Sequence, residues 1–392
     1  MGSSPVTATT PPSGALAEVV AALARCLGEH GVGGEPLVVA FSGGPDSLAL
    51  LLAARNAATA LGFSPIAAHV DHRLDPGSPA RADGARRLAA QVDVPFRLLV
   101  APPGSASAGE SPEATARRVR YRLLDELRRE LGARWLLTAH HADDQAETVL
   151  LRLAHGSGLA GLAGMAARHG SVLRPLLSLS RRDLRAAVAA TELLPLEDPT
   201  NRDLSLPRNR LRHLLLPAFG DDVAARALGL AAAAAALTAG IERRLLELLP
   251  GLADRDESVA PRVPIHVLRR LPAELLPWGL ALLHRRSGVE YPPRAVAVAE
   301  LRRQLYRCDR VNCDCGGGWR WRTDAAGRLR VEAAEVLASP FTYTVEEGEG
   351  VEISAAGTTV RPSQPPVTAR TRRGAPSRAA LDLPAAATAE GR

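Results

Sequence analysis

The sequence predicts an α/β fold: a doubly wound, mainly parallel sheet followed by a smaller all-helical domain. Three observations carry this reading. Between Leu37 and Ala154, short apolar runs alternate with helical patterns of about 10–15 residues, the rhythm of a parallel sheet with crossover helices. From Asp221 to about Leu305 the chain turns Ala/Leu-rich and helical. Polar clusters at Ser42–Ser47, His69–Arg73 and His140–Asp144 each follow an apolar run. Ligands of such sheets bind beyond the carboxyl ends of the strands, so the three clusters are expected to line one crevice.

Taken in order, residues 1–14 are expected to be disordered. Ala15–Leu27 reads as a helix, Leu37–Phe41 as the first strand and Leu48–Leu61 as the next helix. Ile66–Val70 is the second strand, Ala80–Gln91 a helix, Phe96–Val100 the third strand, and Ala101–Ser111 a small-residue loop. Pro112–Leu131 is a long Arg-rich helix, Trp135–Thr138 the fourth strand, and Asp144–Ala154 a helix. A glycine-rich stretch, Gly156–Gly164, precedes Arg174-Pro175-Leu176-Leu177, a helix over Arg181–Ala190 and a loop over Leu196–Asn209. Trp319–Arg322 and Leu329–Glu332 read as a hairpin across Asp324–Gly327. The expected organisation is a catalytic domain over 15–220, a mainly helical domain over 221–335, and an irregular, partly disordered tail over 336–392.

Composition narrows the chemistry. The chain has 392 residues, a formal charge of +6 and no lysine, so all 48 of its Lys+Arg positions are arginine. A phosphate loop of the G-x-x-x-x-G-K-[ST] type is thereby excluded, as is any enzyme using a covalent lysine. Arginine pairs bidentately with phosphate and stacks on bases, which makes nucleic acid an admissible partner. The four cysteines are too few for a disulfide scaffold; Cys308, Cys313 and Cys315 lack a clear fourth ligand and read as incidental thiols. Met1–Pro12 lacks the basic start and apolar core of a signal peptide, and no uninterrupted apolar run reaches about 18 residues. The expectation is a cytoplasmic protein with no membrane partner.

The densest signal is Ser42-Gly43-Gly44-Pro45-Asp46-Ser47, between a buried strand and a helix. Two glycines let the backbone approach an anion closely, and the new helix aims its free N–H groups there. Ser42 and Ser47 add hydroxyl donors. Asp46 is out of place in a phosphate loop unless it holds a Mg²⁺ that in turn holds the phosphates.

Three further segments strengthen this: His69-Val70-Asp71-His72; His140-His141-Ala142-Asp143-Asp144-Gln145-Ala146-Glu147-Thr148; and Asp198-Pro199-Thr200-Asn201 with Arg208-Asn209-Arg210-Leu211-Arg212. With the Ser-Gly-Gly loop and Gly156–Met165 they closely resemble the bacterial tRNA(Ile)-lysidine synthetases, members of the N-type ATP pyrophosphatase (PP-loop) group with a Rossmann-like core. The resemblance is strong over residues 35–220 and weak to about 335, the helical region then being expected to bind tRNA. It implies ATP and Mg²⁺ as cofactors, and free lysine and a CAU-anticodon isoleucine tRNA as substrates. The wobble cytidine is adenylated at its C2 oxygen, and lysine then displaces AMP. A homodimer is left open.

By this resemblance Ser42, Gly43, Gly44, Pro45, Asp46 and Ser47 bind ATP, joined by Asp71 and His72. Arg120, His140, Asp144 and Glu147 carry catalysis and lysine binding, Arg120 neutralising charge on the α-phosphate. Asp46 and Asp144 are the expected metal ligands. For the acids of the second cluster three tasks stay open: holding metal, binding an ammonium group, or accepting its proton. Arg208, Asn209 and Arg212 are expected at the tRNA or active-site edge. His69 reads as a strand-end structural residue, and Arg117, Arg118 and Arg122 as a solvated or tRNA-facing stripe. The competing readings are a tRNA thiolation enzyme of the same group, an amide ligase of the asparagine-synthetase type, and a non-catalytic ATP-binding RNA binder. The first lacks cysteines near the motifs; the Asp198–Arg212 segment and the basic balance argue against the second; the retained acids and histidines argue against the third.

Overall fold

The computed structural model describes residues 14–103, 112–197, 203–220, 222–252, 260–289, 293–316, 318–333, 341–343 and 351–353. The chain divides into two compact units, Met1–Glu247 and Leu248–Arg392.

The first unit is built on β1 (Pro36–Ala40), β2 (Ser64–Asp71), β3 (Phe96–Val100), β4 (Trp135–Leu137), β5 (Arg168–His169) and β6 (Val172–Leu173), in the order β3-β2-β1-β4-β6-β5. All neighbours are parallel except the short β5–β6 pair. Its helices are α1 (Gly14–Glu29), α2 (Pro45–Leu61), α3 (Ser78–Gln91), α4 (Pro112–Glu130), α5 (Ala142–Ala154), α6 (Leu159–Leu162) and α7 (Arg181–Ala189). Leu37, Val38 and Val39 of β1 are fully buried, because a central parallel strand is covered on both faces and reads as a continuous apolar run. Side chains alternate across a strand. Leu37 and Val39 therefore join the core that contains residues of α1, α2, α3 and α7, while Val38 joins Leu124 and Leu127 of α4 with Leu136 and Val172. The expected strands and helices are present within a few residues. The β5–β6 hairpin is an addition to them, since two-residue strands carry no periodicity to detect.

Two differences concern the region after α7. Pro207 opens α8 (Pro207–Arg210), which continues through a π-helical turn at Leu211–Leu215 into α9 (Leu216–Phe219), so the expected loop ends at Leu206. The cause of the wide turn is Pro217, which has no N–H to donate back and whose ring crowds the preceding turn. The other difference is the unit boundary. The 27-residue helix α10 (Asp222–Leu248) groups with the first unit, where Ala227 and Ala231 pack on Ala146 and Val149 of α5. Alanine faces permit that close approach. By length and composition α10 is apolar enough to cross a membrane. Its uncharged run, Ala227–Ile241, is dominated by alanine and spans fewer residues than the roughly 20 a bilayer core requires.

The second unit contains an antiparallel sheet as well as helices. Its strands are β7 (Val263–Pro264), β8 (Asn312–Gly316), β9 (Trp319–Thr323) and β10 (Arg328–Ala333), in the order β7-β10-β9-β8. The helices are α11 (Ile265–Leu268), α12 (Leu276–Arg286) and α13 (Ala295–Arg307), with α12 against β10 and α13 against β8. The part expected to be all-helical thus folds its helices onto a sheet whose central hydrophobe, Trp321, is fully buried. The expected β9–β10 hairpin is present, its turn held by Asp324, which accepts from the Ala326 and Arg328 amides. Cys313 and Cys315 are buried, and burial lifts their thiols to about 11 and about 12, so both stay protonated at neutral pH. Phe341–Tyr343 pairs with Val351–Ile353; the rest of the expected tail, like residues 1–13, lies outside the described residues.

Candidate active site

The Ser42–Ser47 loop leaves β1 at the centre of the sheet. Gly43 adopts φ +85, and a Cβ there would fall 2.6 Å from Leu196 Cδ1, so both backbone shape and packing require glycine. The Leu196 amide donates to the Gly43 carbonyl at 2.9 Å, which fastens the 190s segment to the loop. Gly44 is the N-cap of α2 and Pro45 its first residue. The two hydroxyls hold the loop together: Ser42 Oγ lies 3.1 Å from Ser47 Oγ, and Ser47 Oγ donates to the Gly44 carbonyl at 3.0 Å. No side chain caps α2, so its first-turn amides remain available to an anion.

Across the crevice, β4 ends in Thr138-Ala139-His140-His141, and His141 is the N-cap of α5. Asp144 closes a capping box by accepting from the His141 amide at 3.2 Å, which fixes its carboxylate over the helix start. The His141 ring is almost fully buried and surrounded by acids. Its Nε2 lies 3.5 Å from Asp46 Oδ2 and 3.4 Å from Asp144 Oδ2, and its Nδ1 lies 3.5 Å from Asp143 Oδ2. Burial alone would push the imidazole toward neutrality. The carboxylates of Asp143, Asp46 and Asp144 outweigh it and lift the ring to about 9, so it is an imidazolium at neutral pH. Asp143 in turn is held far below the usual carboxylate range by His141, and its Oδ2 accepts from the Arg181 amide at 2.8 Å. His141 is not among the expected site residues. The signal available is two histidines ahead of two acids at a strand end, which does not say which histidine turns inward.

Asp46 and Asp144, the expected metal ligands, thus converge on one ring nitrogen, and Asp46 Oδ1 is buried with no donor. Two hard oxygen donors, one of them without a partner, beside a phosphate-binding loop suit Mg²⁺, which takes one or two carboxylates plus substrate phosphates.

Glu147 is fully buried one turn beyond Asp144 and receives three arginines. Arg208 Nε reaches its Oε2 at 2.7 Å, Arg212 Nε and Nη2 reach Oε1 and Oε2 at 2.7 and 2.9 Å, and Arg181 Nη2 lies 3.2 Å from Oε1. Arg208 and Arg212 also touch Asp144 Oδ1, at 3.0 and 3.4 Å. Burial would raise the Glu147 carboxyl, but the guanidinium groups of Arg212 and Arg208 prevail and keep it ionised. Arg208 and Arg212 therefore stand with Asp144 and Glu147, the acids of α5. Asn209 turns inward instead: it is buried, and its Nδ2 donates to the Asp203 carbonyl at 2.9 Å. Asp198-Pro199-Thr200-Asn201 lies outside the described residues.

The remaining expected residues form the flanks. His140 Nδ1 is 2.9 Å from Thr138 Oγ1, and burial, followed by the charges of Arg174, Arg117 and Arg208, holds its ring neutral down to about 3. Arg120 Nε donates to His72 Nε2 at 3.4 Å. Burial and then Arg120 hold His72 down to about 4. Asp71 is buried and accepts from the Arg73 amide at 2.8 Å, stabilising the left-handed Arg73 at φ +53. His69 is structural as expected, donating from Nδ1 to the Phe41 carbonyl at 2.9 Å.

Comparison with known proteins places this geometry. The family model described as the PP-loop domain matches residues 17–219. A tRNA(Ile)-lysidine synthase of Thermus thermophilus is 45% identical over 223 residues, covering 55% of this chain and 43% of the relative. That of Rhodopseudomonas palustris is 41% identical over 283 residues, covering 69% and 80%, and that of a Bradyrhizobium species 42% identical over 325 residues, covering 77% and 87%. The chain thus spans less than half the length of the Thermus relative and most of the other two. With the pyrophosphate loop, its facing acids and these relatives together, the chain belongs to the PP-loop family, within the group of the tRNA(Ile)-lysidine synthases.

Proposed function

We propose that this chain catalyses lysidine formation on a CAU-anticodon isoleucine tRNA. The carrying observation is that Asp46 of the pyrophosphate loop and Asp144 of α5 meet at one buried nitrogen of His141, beside an arginine wall anchored on Glu147. Such a site binds the pyrophosphate end of ATP on one side and a reacting nucleobase on the other. The C2 oxygen of the wobble cytidine attacks the α-phosphorus, the α–β bridge breaks, and pyrophosphate leaves. The ε-amine of lysine then attacks C2, the C2–O bond breaks, AMP departs with the oxygen, and the amine loses a proton.

The chain's own residues divide this work. The α2 amides and the Ser42–Ser47 loop grip pyrophosphate. Asp46 and Asp144 would hold Mg²⁺, which when bound neutralises phosphate charge. Arg120, oriented by His72, and the wall of Arg208 and Arg212 face charge developing on the α-phosphate. Glu147 orients those two arginines through its own ion pairs and is not a free acceptor for an ammonium group. His140, neutral and fixed through Thr138, offers one ring nitrogen for a proton, and a phosphate arriving beside it raises its basicity. The target base must leave the anticodon stack to reach this crevice.

The test is incorporation of labelled lysine into a CAU-anticodon isoleucine tRNA transcript with Mg-ATP, with AMP and pyrophosphate assayed alongside. Lysine uptake matched by AMP release is expected. AMP release without lysine uptake would move the reading to another nucleophile, sulfur first. A folded protein that turns over no nucleotide would leave only an ATP-binding RNA binder.

A further inference from the structure

The arginines around Glu147 all have carboxylate partners; Arg174 does not. It follows β6 directly and is 7% exposed. Its Nη1 donates to the Ala166 carbonyl at 2.8 Å, its Nε is buried with no acceptor, and no carboxylate lies within ion-pair distance among the described residues. A guanidinium has five N–H donors and always carries its charge, so burying it with one neutral partner is costly unless an anion arrives.

Its place in the sheet says which anion. β6 pairs with β4, the Thr138 amide donates to the Leu173 carbonyl at 3.0 Å, and β4 pairs with β1. At about 4.8 Å per strand, Arg174 stands about 10 Å from the end of β1, where the pyrophosphate loop begins. It is thus two strands from that loop, on the side of β4 and His140, and its charge is one of those that keep His140 neutral. An RNA backbone phosphate is a poor match for a guanidinium so enclosed. Of the substrates in the reading above, the free amino acid carries a carboxylate, which matches the planar fork.

We infer that Arg174 binds the α-carboxylate of the amino-acid substrate, orienting the side-chain amine toward the activated base. The inference rests on the lysidine-forming reading above and assigns a specificity residue within it. It explains why a free amino acid, and not any primary amine, would be taken.

The experiment compares lysine with cadaverine, the same diamine without the carboxylate, using the full chain, Mg-ATP and CAU-anticodon tRNA. Wild type is expected to favour lysine strongly. Arg174→Gln should raise the KM for lysine at least about tenfold, as loss of a charged hydrogen bond implies. The KM for cadaverine, and pyrophosphate release without any amine, should stay within about twofold. A lysine-to-cadaverine ratio unchanged in Arg174→Gln overturns the assignment, whatever happens to overall rate, because a purely structural role would move both amines together. If Arg174→Gln melts below the assay temperature, Arg174→Lys carries the same comparison: the charge stays, the fork is lost, and only the lysine KM should rise. Equal shifts for both amines in that variant overturn the assignment as well. A wild type that releases AMP but incorporates neither amine overturns the underlying function, and is told apart by needing no variant.

Discussion

Asp46 sits where a helix dipole by itself favours an acid, yet its surroundings ask for more than a dipole. One of its oxygens is buried without a donor and the other faces an imidazolium shared with Asp144. Asp46→Asn keeps the shape and removes the charge. ATP turnover should fall by at least about a hundredfold in a protein that still folds, though less stably because the buried His141 ring loses one of its carboxylates; wild-type-like turnover in a folded variant would sink the metal role. The two adjacent histidines make opposite predictions about pH. His140 is neutral in the fold down to about 3, while an ordinary histidine titrates at 6.5. Between those values the unfolded chain binds the extra proton, so stability rises with pH by up to about 1.4 kcal/mol per unit. His141 is raised from 6.5 to about 9, so its contribution is complete below 6.5 and is lost as pH rises through 9. Urea unfolding of the chelated protein should therefore show greatest stability near neutrality. His140→Gln should make the acid limb shallower, with His72, held down to about 4, supplying part of the slope that remains, and His141→Gln should flatten the alkaline limb; an unchanged limb in either variant refutes the protonation state assigned to it.

At the scale of elements, α5 organises the site because it is tied at both ends and along its length. His141 and Asp144 cap its start, and Arg152 near its end donates to the Gly161 and Gly164 carbonyls at 2.8 Å each. Between them Gln145 pairs with the Met165 backbone, giving at 2.9 Å and accepting at 2.6 Å. These bonds fasten the glycine-rich segment to the acid motif. Gly164 has φ +71, and a Cβ there would lie 2.6 Å from Gln145 Oε1. Gly164→Ala should destabilise by roughly 1–3 kcal/mol, and with Gln145→Ala the two losses should fall short of additive in a denaturant double-mutant cycle. Full additivity would mean the pair does not act together. This level also marks how far the sequence can be read. Strand, loop and helix at Leu37–Leu52 are legible because a period, a turn and a cap lie within one short window. The pairing of Glu147 with Arg212, 65 residues apart, has no local signature, and neither has the π-helical turn that carries Arg212 just after Arg208. Asn209, inside the same motif, is expected at the site edge and lies buried instead, because a motif fixes residue type and not direction.

Over the whole molecule the positive charge has one chemical form. Every basic Lys/Arg position is arginine, for a net charge of +6, and the arginines of the Glu147 wall are held by carboxylates. Those groups are fixed by their ion pairs, while others, such as Arg117 and Arg122 on α4, are exposed, and the proposed function would have such exposed arginines meet RNA phosphate. Binding of a polyanion by such a surface releases counterions, so the logarithm of affinity for tRNA should fall linearly with the logarithm of salt concentration, with a slope steeper than about −3. Chemical modification separates this charge from that of an ordinary basic protein. Acylation with an amine-directed ester should leave tRNA affinity and its salt slope intact, because no lysine side chain contributes. A guanidinium-directed dicarbonyl should abolish binding, and tRNA present during the reaction should protect. The measurement is a filter-binding titration across salt before and after each reagent. A shallow slope, or affinity lost to the amine reagent alone, would mean that the arginine surface is not what holds the RNA.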